Sequence, residues 1–366
     1  MKRAHQCFSL ILGFFMIGFF MIAFSCTRRE AQREYLVEKV DNVAIVQVYA
    51  DEFKKLSLKQ KMLAYYLYRA AIAGRDITYD QDHKYALEIR KILEGIVTHP
   101  EEIDKPTYDA ILKYTKLFWI NNGQYDNLTS RKFVPEVDYE KFLGAARTAA
   151  LNGADLGIKA GETLEEKLER LKPYIFDPNF EPILTNKTPG PGEDLITGSA
   201  NNLYEGVTLT EMEAFDEKYP LNSKAVKLNG KIVEQVYRAG TDEIPPGLYA
   251  EQLKNVIREL ENALPYAEKG QDEVLKQLIR YFKTGDPEDF RKYNILWVRN
   301  KSFFDTINGF IEVYKDARAV KGEYEAVVYF VDLKTTQLMR SLAANAQYFE
   351  DNAPWKDEYK KKDIKV

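Results

Sequence analysis

The dipeptide Asn229-Gly230 is the sequence feature that most constrains the fold of this chain. It separates two runs in which apolar residues recur, Lys224 to Leu228 and Lys231 to Tyr237, and Asn-Gly between such runs is the strongest short-range signal of a β-hairpin. Long segments with a helical spacing of apolar residues stand on both sides of it. The pattern therefore predicts an α+β fold that is predominantly helical, with a small antiparallel sheet or a partial β-barrel.

Capping pairs and breakers set the predicted element boundaries. Ser57 with Gln60, and Thr208 with Glu211, have the spacing of capping boxes at helix starts. Predicted helices cover about 58–73, 83–97, 107–120, 139–172 with a break at 152–153, 248–268, 272–283, 287–300 and 333–350; predicted strands cover 43–48, 308–314 and 325–331. We expect Arg75-Asp76-Ile77 to be a short connector. The residues that the last helix is expected to turn inward are Leu338, Leu342, Ala346 and Phe349.

Composition and cysteine positions exclude several classes of function. Apolar residues make up 45% of the chain and charged residues 30%, which is typical of a folded globular protein. With 52 basic and 56 acidic residues the net charge is −4, so the composition does not favour a nucleic acid as partner. Both cysteines, Cys7 and Cys26, precede the predicted folded part, which can therefore hold neither a disulfide nor a thiolate metal site.

The first 26 residues have the pattern of a secretory signal. A basic start, Met1-Lys2-Arg3, precedes a nearly uninterrupted apolar run from Phe8 to Phe24, and Cys26 follows the small residue Ser25. A cysteine at this place resembles a bacterial lipoprotein box, which predicts a lipid on Cys26 and attachment to the bacterial membrane. The alternatives are cleavage after Ser25 and retention as a single membrane anchor. All three place the folded part outside the cytoplasmic membrane, on the periplasmic side or at the cell surface.

The segment from Asn308 to Glu325 carries the candidate site. If Phe310 to Tyr314 is extended, Glu312 and Tyr314 project from the same face. A carboxylate can bind a substrate amine, and a phenol beside it can donate a hydrogen bond to a developing oxyanion. The alternative is structural: Tyr314 packs, and Glu312 pairs with a lysine.

This segment resembles the lower lobe of the dipeptidyl peptidase III family of zinc peptidases, and so do Gly74-Arg75-Asp76-Ile77 and the blocks at 119–123, 221–237 and 281–298. The resemblance, over about residues 45–355, implies one lobe of a two-lobed metallopeptidase. It implies that Glu312 holds the free amino terminus of the substrate and that Tyr314 stabilises the tetrahedral intermediate. The further substrate-binding residues that it implies are Asn308, Glu323 and Glu325. For the two glutamates the alternative is an exposed strand edge.

The resemblance also orders the chain into segments. These are a signal at 1–26, a spacer at 27–42, the lower-lobe region at 43–355 and a truncated connector at 356–366. Within the lower lobe, 43–172 is helical, 173–200 is a loop rich in Pro and Gly, and 201–355 holds the hairpin and further helices. One departure from the family is the run Lys315-Asp316-Ala317-Arg318, where relatives carry an Asp-Pro-x-Gly turn.

The zinc motif of the family, His-Glu-x-x-Gly-His, does not occur in the chain. Its histidines are His5, His83 and His99, and the last two lie at opposite ends of one predicted helix, roughly 24 Å apart at 1.5 Å per residue. We therefore expect no bound metal in this chain and zinc only in a complete family member. The predicted function is the substrate-binding half of a truncated zinc peptidase, which binds short peptides, releases dipeptides from their amino termini when complete, and is inactive alone. The alternative is a non-catalytic, surface-tethered lipoprotein that binds peptides or another nutrient.

Overall fold

The computed structural model describes residues 33–365, and the chain divides after Tyr49 into two compact units. The predicted signal and Cys26 lie outside the described residues. The first unit contains a hairpin of strands β1 (Leu36–Val40) and β2 (Val43–Val46). Asp41 adopts a left-handed conformation (φ 56°) in the two-residue turn, which aspartate tolerates. The strand predicted near 43–48 is confirmed, but the segment predicted as a spacer, 27–42, contains β1.

The second unit is mostly helical. Its helices are α1 (Leu58–Ala73), α2 (Arg75–Asp82), α3 (Ala86–Thr98), α4 (Lys105–Asn121), α5 (Tyr139–Leu151), α6 (Leu164–Phe176), α7 (Leu209–Glu213), α8 (Ala250–Ala263), α9 (Gln271–Thr284), α10 (Pro287–Arg299), α11 (Leu333–Ala344) and α12 (Ala346–Asp351). Its strands are β3 (Tyr204–Glu205), β4 (Ser223–Leu228), β5 (Lys231–Val236), β6 (Phe304–Phe310) and β7 (Tyr324–Phe330). The predicted helical α+β class is confirmed. All these helices are too short or too polar to span a membrane, as far as residues 33–365 are concerned.

Two small sheets form in this unit. Strand β3 pairs parallel with β4, and β4 pairs antiparallel with β5; β6 and β7 pair antiparallel by themselves. Asn229 (φ 51°) and Gly230 (φ 77°) form the two-residue turn between β4 and β5, so the predicted hairpin is confirmed. The strands of residues 33–365 do not close into a barrel, so the small-sheet alternative is the one observed.

Two large apolar cores and one small one, around Ile196 and Met212, lie in this unit. One core joins α1, α8 and α9 to the β6–β7 sheet through side chains such as Leu67, Leu260 and Phe310. The second large core lies between helices α3, α4, α5 and α6 and contains side chains such as Ile92 and Phe142. Helix α2 connects the two cores, because Ile77 belongs to the first and Tyr79 to the second. This bridging position lets α2 reach the candidate site.

Two predictions about helices are wrong. Arg75-Asp76-Ile77 is the first turn of α2 rather than a connector, because Gly74 keeps a helix-like conformation (φ −96°, ψ 0°) between α1 and α2. The predicted last helix divides at Asn345 into α11 and α12, which bury no side chain. Of the residues predicted to face inward, Ala346 is half-buried and the other three are exposed: Leu338, Leu342 and Phe349. An apolar stripe identifies a face of a helix, but only another element can cover that face.

Candidate functional site

Strand β6 ends before the two principal candidate residues. It stops at Phe310, although an irregular pairing continues: the Ile311 N–H donates to the Glu323 carbonyl (3.0 Å), and the Glu323 N–H donates to the Glu312 carbonyl (2.6 Å). The chain then turns, so the predicted strand at 308–314 is confirmed only as far as Phe310. Tyr314 lies in this turn, and the alternation of an extended strand does not apply to it. Glu312 and Tyr314 are both exposed, Tyr314 by 70%.

Helix α2 holds the facing segment in place through side-chain hydrogen bonds. The buried Gln81 donates from Nε2 to the Gly322 carbonyl (2.9 Å) and accepts at Oε1 from the Tyr324 N–H (2.7 Å). Thr78 Oγ1 donates to the Tyr324 carbonyl (2.6 Å). These side chains satisfy backbone groups that would otherwise need a further strand beside β7. Residues 322–324 are therefore positioned from α2 as well as from β6.

Asn308 lies in the packing behind the site. Its Oδ1 accepts a hydrogen bond from the Tyr324 hydroxyl (2.7 Å), and both side chains are 1% exposed. The structure thus buries the side chain of Asn308, and a role for it in substrate binding stays a prediction. Because side chains alternate along a strand, Glu323 and Glu325 lie on the face opposite to Tyr324, and both are half-buried.

Three carboxylates act on one another at this face. Burial raises the pKa of Glu325, and repulsion from Glu323 and Glu312 raises it further, against the opposing effects of the Glu312 backbone and Lys315. Glu325 Oε1 is buried and has no hydrogen-bond partner. The structure thus places Glu312, Glu323 and Glu325 in one acidic group.

Lys315 neutralises part of this acidic group. Its Nζ lies 2.7 and 2.9 Å from the two carboxylate oxygens of Asp82 and 2.6 Å from Glu323 Oε1. Burial alone would lower the pKa of Lys315, but the attraction of the two carboxylates outweighs burial and raises it. Burial raises the pKa of Asp82 to about 7 despite the nearby ammonium group. Thr185 Oγ1 and Asn201 Nδ2 both donate to the Lys315 carbonyl (2.7 and 2.9 Å).

The turn after Lys315, which departs from the family pattern, is held by Asp316. This fully buried carboxylate accepts hydrogen bonds from the backbone N–H groups of Arg318 (3.0 Å), Val320 (2.9 Å) and Lys321 (2.8 Å). It also accepts from the Tyr204 hydroxyl (2.8 Å). These hydrogen bonds hold the turn without the proline and the glycine of the family pattern, although Ala319 has the left-handed conformation (φ 56°) that glycine favours.

A cavity of 360 Å³ opens beside these residues. Its lining combines amide, hydroxyl and charged groups: Asn122, Asn127, Ser130, Thr185, Tyr314, Lys315 and Glu323. Lys187 lies over the Tyr314 ring, with its Nζ 5.9 Å from the ring centroid. Tyr314 and Glu323 thus share one cavity, whose lining also includes Leu184, and the acidic group adjoins it.

The described residues do not fit a zinc ion. Residues 33–365 contain no group of three or more His, Cys, Asp or Glu side chains arranged to hold a metal. The buried His83 pairs through Nε2 with Glu181 (3.0 Å), and His99 Nδ1 bonds to the Gly95 carbonyl (3.1 Å). What this part of the chain can do chemically is bind a cation at its carboxylates and donate a hydrogen bond from Tyr314.

Several residues of the site could not be identified from the sequence. Gln81 lies outside the segment that the sequence analysis associates with the site, 241 positions from Gly322. Asp82 and Lys315 are 233 positions apart. Thr185 lies in a loop rich in Pro and Gly that has no periodic pattern. Only the departure at Lys315 from the family turn was a signal, and it did not indicate a partner.

Comparison with known proteins identifies relatives of about twice this length. The profile described as peptidase family M49 matches residues 215–365. The chain is 25% identical to dipeptidyl peptidase 3 of Homo sapiens over 346 aligned positions, which cover 85% of this chain and 47% of the human protein. It is 22% identical to dipeptidyl peptidase 3 of Dictyostelium discoideum over 329 positions, with the same two coverages.

Solved structures show the same fold. The structure of DPP III from Caldithrix abyssi matches with a TM-score of 0.57 at 19% identity and covers 86% of this chain and 47% of its own. The dipeptidyl-peptidase III structure from Corallococcus sp. strain EGB matches with a TM-score of 0.54 at 17% identity and the same coverages. The chain therefore spans about half the length of the relatives and structures that it matches.

Proposed function

The chain belongs to the dipeptidyl peptidase III family, and from this premise we propose that it forms the peptide-binding half of a zinc dipeptidyl peptidase that releases dipeptides from peptide amino termini when complete. The observation that carries the proposal is the acidic group of Glu312, Glu323 and Glu325 beside an open cavity. Zinc would supply the Lewis acid and the activated water in a complete family member. The contribution of residues 33–365 is to bind and orient the peptide.

The charge balance favours an ammonium group as the ligand. When Asp82 is protonated and therefore uncharged, the carboxylates of Glu312, Glu323 and Glu325 still outnumber the ammonium group of Lys315. The α-amino group of a peptide has a pKa of about 8 and is mostly protonated at neutral pH. A free amino terminus can therefore pair with Glu312, which is exposed, while Glu325 adds negative charge beside it.

Tyr314 is placed to act on the peptide backbone. Its exposed ring lines the cavity that adjoins the acidic group. A phenol O–H can donate a hydrogen bond to a carbonyl oxygen and donates more strongly to the oxyanion that develops from it. We assign Tyr314 this role in the complete enzyme.

Calorimetry with tetra-alanine and its N-acetylated form tests the binding proposal. We expect acetylation, or Glu312→Gln, to weaken binding by about tenfold or more, because a hydrogen bond to a charged group contributes about 1.5–3 kcal/mol. Glu243→Gln, at an exposed glutamate of the 241–244 loop, is the matched control and should leave the affinity unchanged. A chelator should have no effect. Equal affinity for the free and the acetylated peptide would contradict the proposal.

The nucleotide sequence that follows the Val366 codon tests the catalytic part. Codons for His-Glu-x-x-Gly-His in the same reading frame would support a zinc peptidase, and the complete product should then release dipeptides. A stop codon without a homologous continuation would contradict catalysis by this gene product. Peptide binding without peptidase activity would favour the non-catalytic binding protein instead.

We also propose that residues 1–26 export the chain and that Cys26 carries the lipid that tethers it to the bacterial envelope. The support is the order of basic start, apolar run and cysteine in the sequence. Labelled palmitate should enter the wild-type protein and not a Cys26→Ser variant. Equal labelling of both, or labelling of neither, would contradict lipidation of this cysteine.

A further inference from the structure

Lys315 is held at both ends in the wall of the cavity. Its ammonium group lies between Asp82 and Glu323, with distances of 2.6 to 2.9 Å to their oxygens. Its backbone carbonyl accepts hydrogen bonds from Thr185 and Asn201. The side chain is 18% exposed and the Asp82 side chain only 2%, so solvent screens this pair weakly. Lys315 is therefore a fixed part of the wall rather than a mobile surface lysine.

The two carboxylates form a position for one cation, and Lys315 fills it. Both lie within hydrogen-bond distance of the same nitrogen, so an ammonium group at that point pairs with both at once. The rest of the cavity wall offers neutral amide and hydroxyl groups, among them Asn122, Asn127 and Ser130. As long as Lys315 is present, both carboxylate oxygens of Asp82 are paired with its ammonium group and are not available to a ligand in the cavity.

We propose that Lys315 determines the side-chain specificity of this cavity, because it occupies the cation position between Asp82 and Glu323 and so makes the cavity select neutral over basic side chains near the peptide amino terminus. The inference rests on the proposed peptide-binding function. Glu312, which is exposed, remains available to the amino terminus itself. Removal of the Lys315 ammonium group should open the same position to the side chain of a substrate lysine.

Matched peptides measure this selectivity. The probes are Lys-Ala-Ala-Ala and Ala-Lys-Ala-Ala, each compared with the peptide that carries norleucine, a neutral side chain of similar length, at the same place. Wild-type protein should bind the norleucine peptide at least as tightly as the lysine peptide in both pairs. In Lys315→Met the ratio should shift towards lysine by about tenfold in at least one pair, as one charge-assisted hydrogen bond allows.

A second pair of variants controls for folding. Lys315→Met leaves the buried Asp82 without its partner, which can unfold a protein. The double variant Asp82→Asn/Lys315→Met removes both buried charges and keeps Glu323, so it should fold and retain part of the shift towards lysine. Adding Glu323→Gln to the double variant should remove that part. An unchanged ratio in a folded double variant would overturn the role of Lys315.

Chemical rescue tests the cation position without any peptide. Lys315→Ala leaves space for a small amine, so butylammonium chloride should raise its thermal midpoint in a saturable way, whereas the wild type and samples with butanol should show no such rise. Equal shifts in wild type and variant would overturn the proposal. If butylammonium stabilises Lys315→Ala but neither the wild type nor any variant binds peptide, the proposed function is refuted, and the selectivity with it. Rescue with normal peptide binding but an unchanged lysine-to-norleucine ratio would refute the role of Lys315 alone.

Discussion

Replacing Gly74 by alanine has two opposite effects on the free energy of unfolding. The backbone at Gly74 (φ −96°, ψ 0°) is accessible to alanine, and alanine restricts the unfolded chain, which by itself stabilises by about 0.4–1 kcal/mol. An added Cβ, however, would lie 2.1 Å from Oη and 2.3 Å from Cζ of Tyr324. Carbon contacts are normally about 3.5–4.0 Å, so the ring would have to move by about 1 Å or more.

The surroundings of Tyr324 make that movement of the ring costly. The ring is 1% exposed and packs edge-on against Phe310 at 5.3 Å between centroids. Overpacking of this kind costs about 1–3 kcal/mol, and losing the hydrogen bond to Asn308 adds about 1–3 kcal/mol. After the backbone gain is subtracted, we expect Gly74→Ala to destabilise by about 1–5.5 kcal/mol.

Urea unfolding followed by circular dichroism measures this difference. Gly144 in α5 is the matched control, because an added Cβ there meets nothing within 4 Å, and Gly144→Ala should stabilise by about 0.5–1 kcal/mol. Tyr324→Leu removes the obstructing ring, so Gly74→Ala should cost much less in that background. The reasoning is refuted if Gly74→Ala changes the free energy of unfolding in the same way as Gly144→Ala. It is also refuted if Gly74→Ala costs as much in the Tyr324→Leu background as in the wild type.

Three further predictions concern the polar groups around the site and can be checked by the same unfolding assay. Gln81→Ala should cost about 2–4 kcal/mol, because it leaves the Gly322 carbonyl and the Tyr324 N–H unsatisfied. A cost below about 1 kcal/mol would contradict the role of Gln81 in holding residues 322–324. Asp82 has a folded-state pKa of about 7, above the value of about 3.9 in the unfolded chain, so the folded protein binds more protons between these values. The stability of wild type relative to Asp82→Asn should therefore fall as the pH rises from about 4 to 7, and a rise would contradict the assignment. Lys132→Met should cost about 2–4 kcal/mol, because Nζ donates to three backbone carbonyls of the 173–180 segment; a neutral effect would show that these bonds contribute little.

Local signals in the sequence predicted most helices and the hairpin correctly. The capping boxes at Ser57 and Thr208 start α1 and α7, and Asn229-Gly230 turns between β4 and β5. These signals succeed because the hydrogen bonds that they depend on form between residues only a few positions apart. The start of α2 was missed because Gly74, which usually ends a helix, is required here for the close approach of Tyr324.

The candidate site was predicted in its residue types but not in its arrangement. Glu312, Glu323 and Glu325 interact as one acidic group, and Tyr314 lines the neighbouring cavity, but Asn308 is buried behind them. The predicted alternation from 310 to 314 fails because the chain turns after Val313. The main support of this turn, Asp316, lies within the segment, and Tyr204 from another element adds one hydrogen bond.

The sequence by itself determined the α+β class, the positions of the capped helices and of the hairpin, and which segment carries the acidic residues. Only the tertiary structure decided that α2 clamps residues 322–324, that Lys315 neutralises Asp82 and Glu323, and that the apolar stripe of α11 stays exposed. The physical reason is the range of the interactions. Helices and tight turns form from contacts within a few residues, whereas the charge, burial and orientation of the site also depend on partners 112 to 243 positions away.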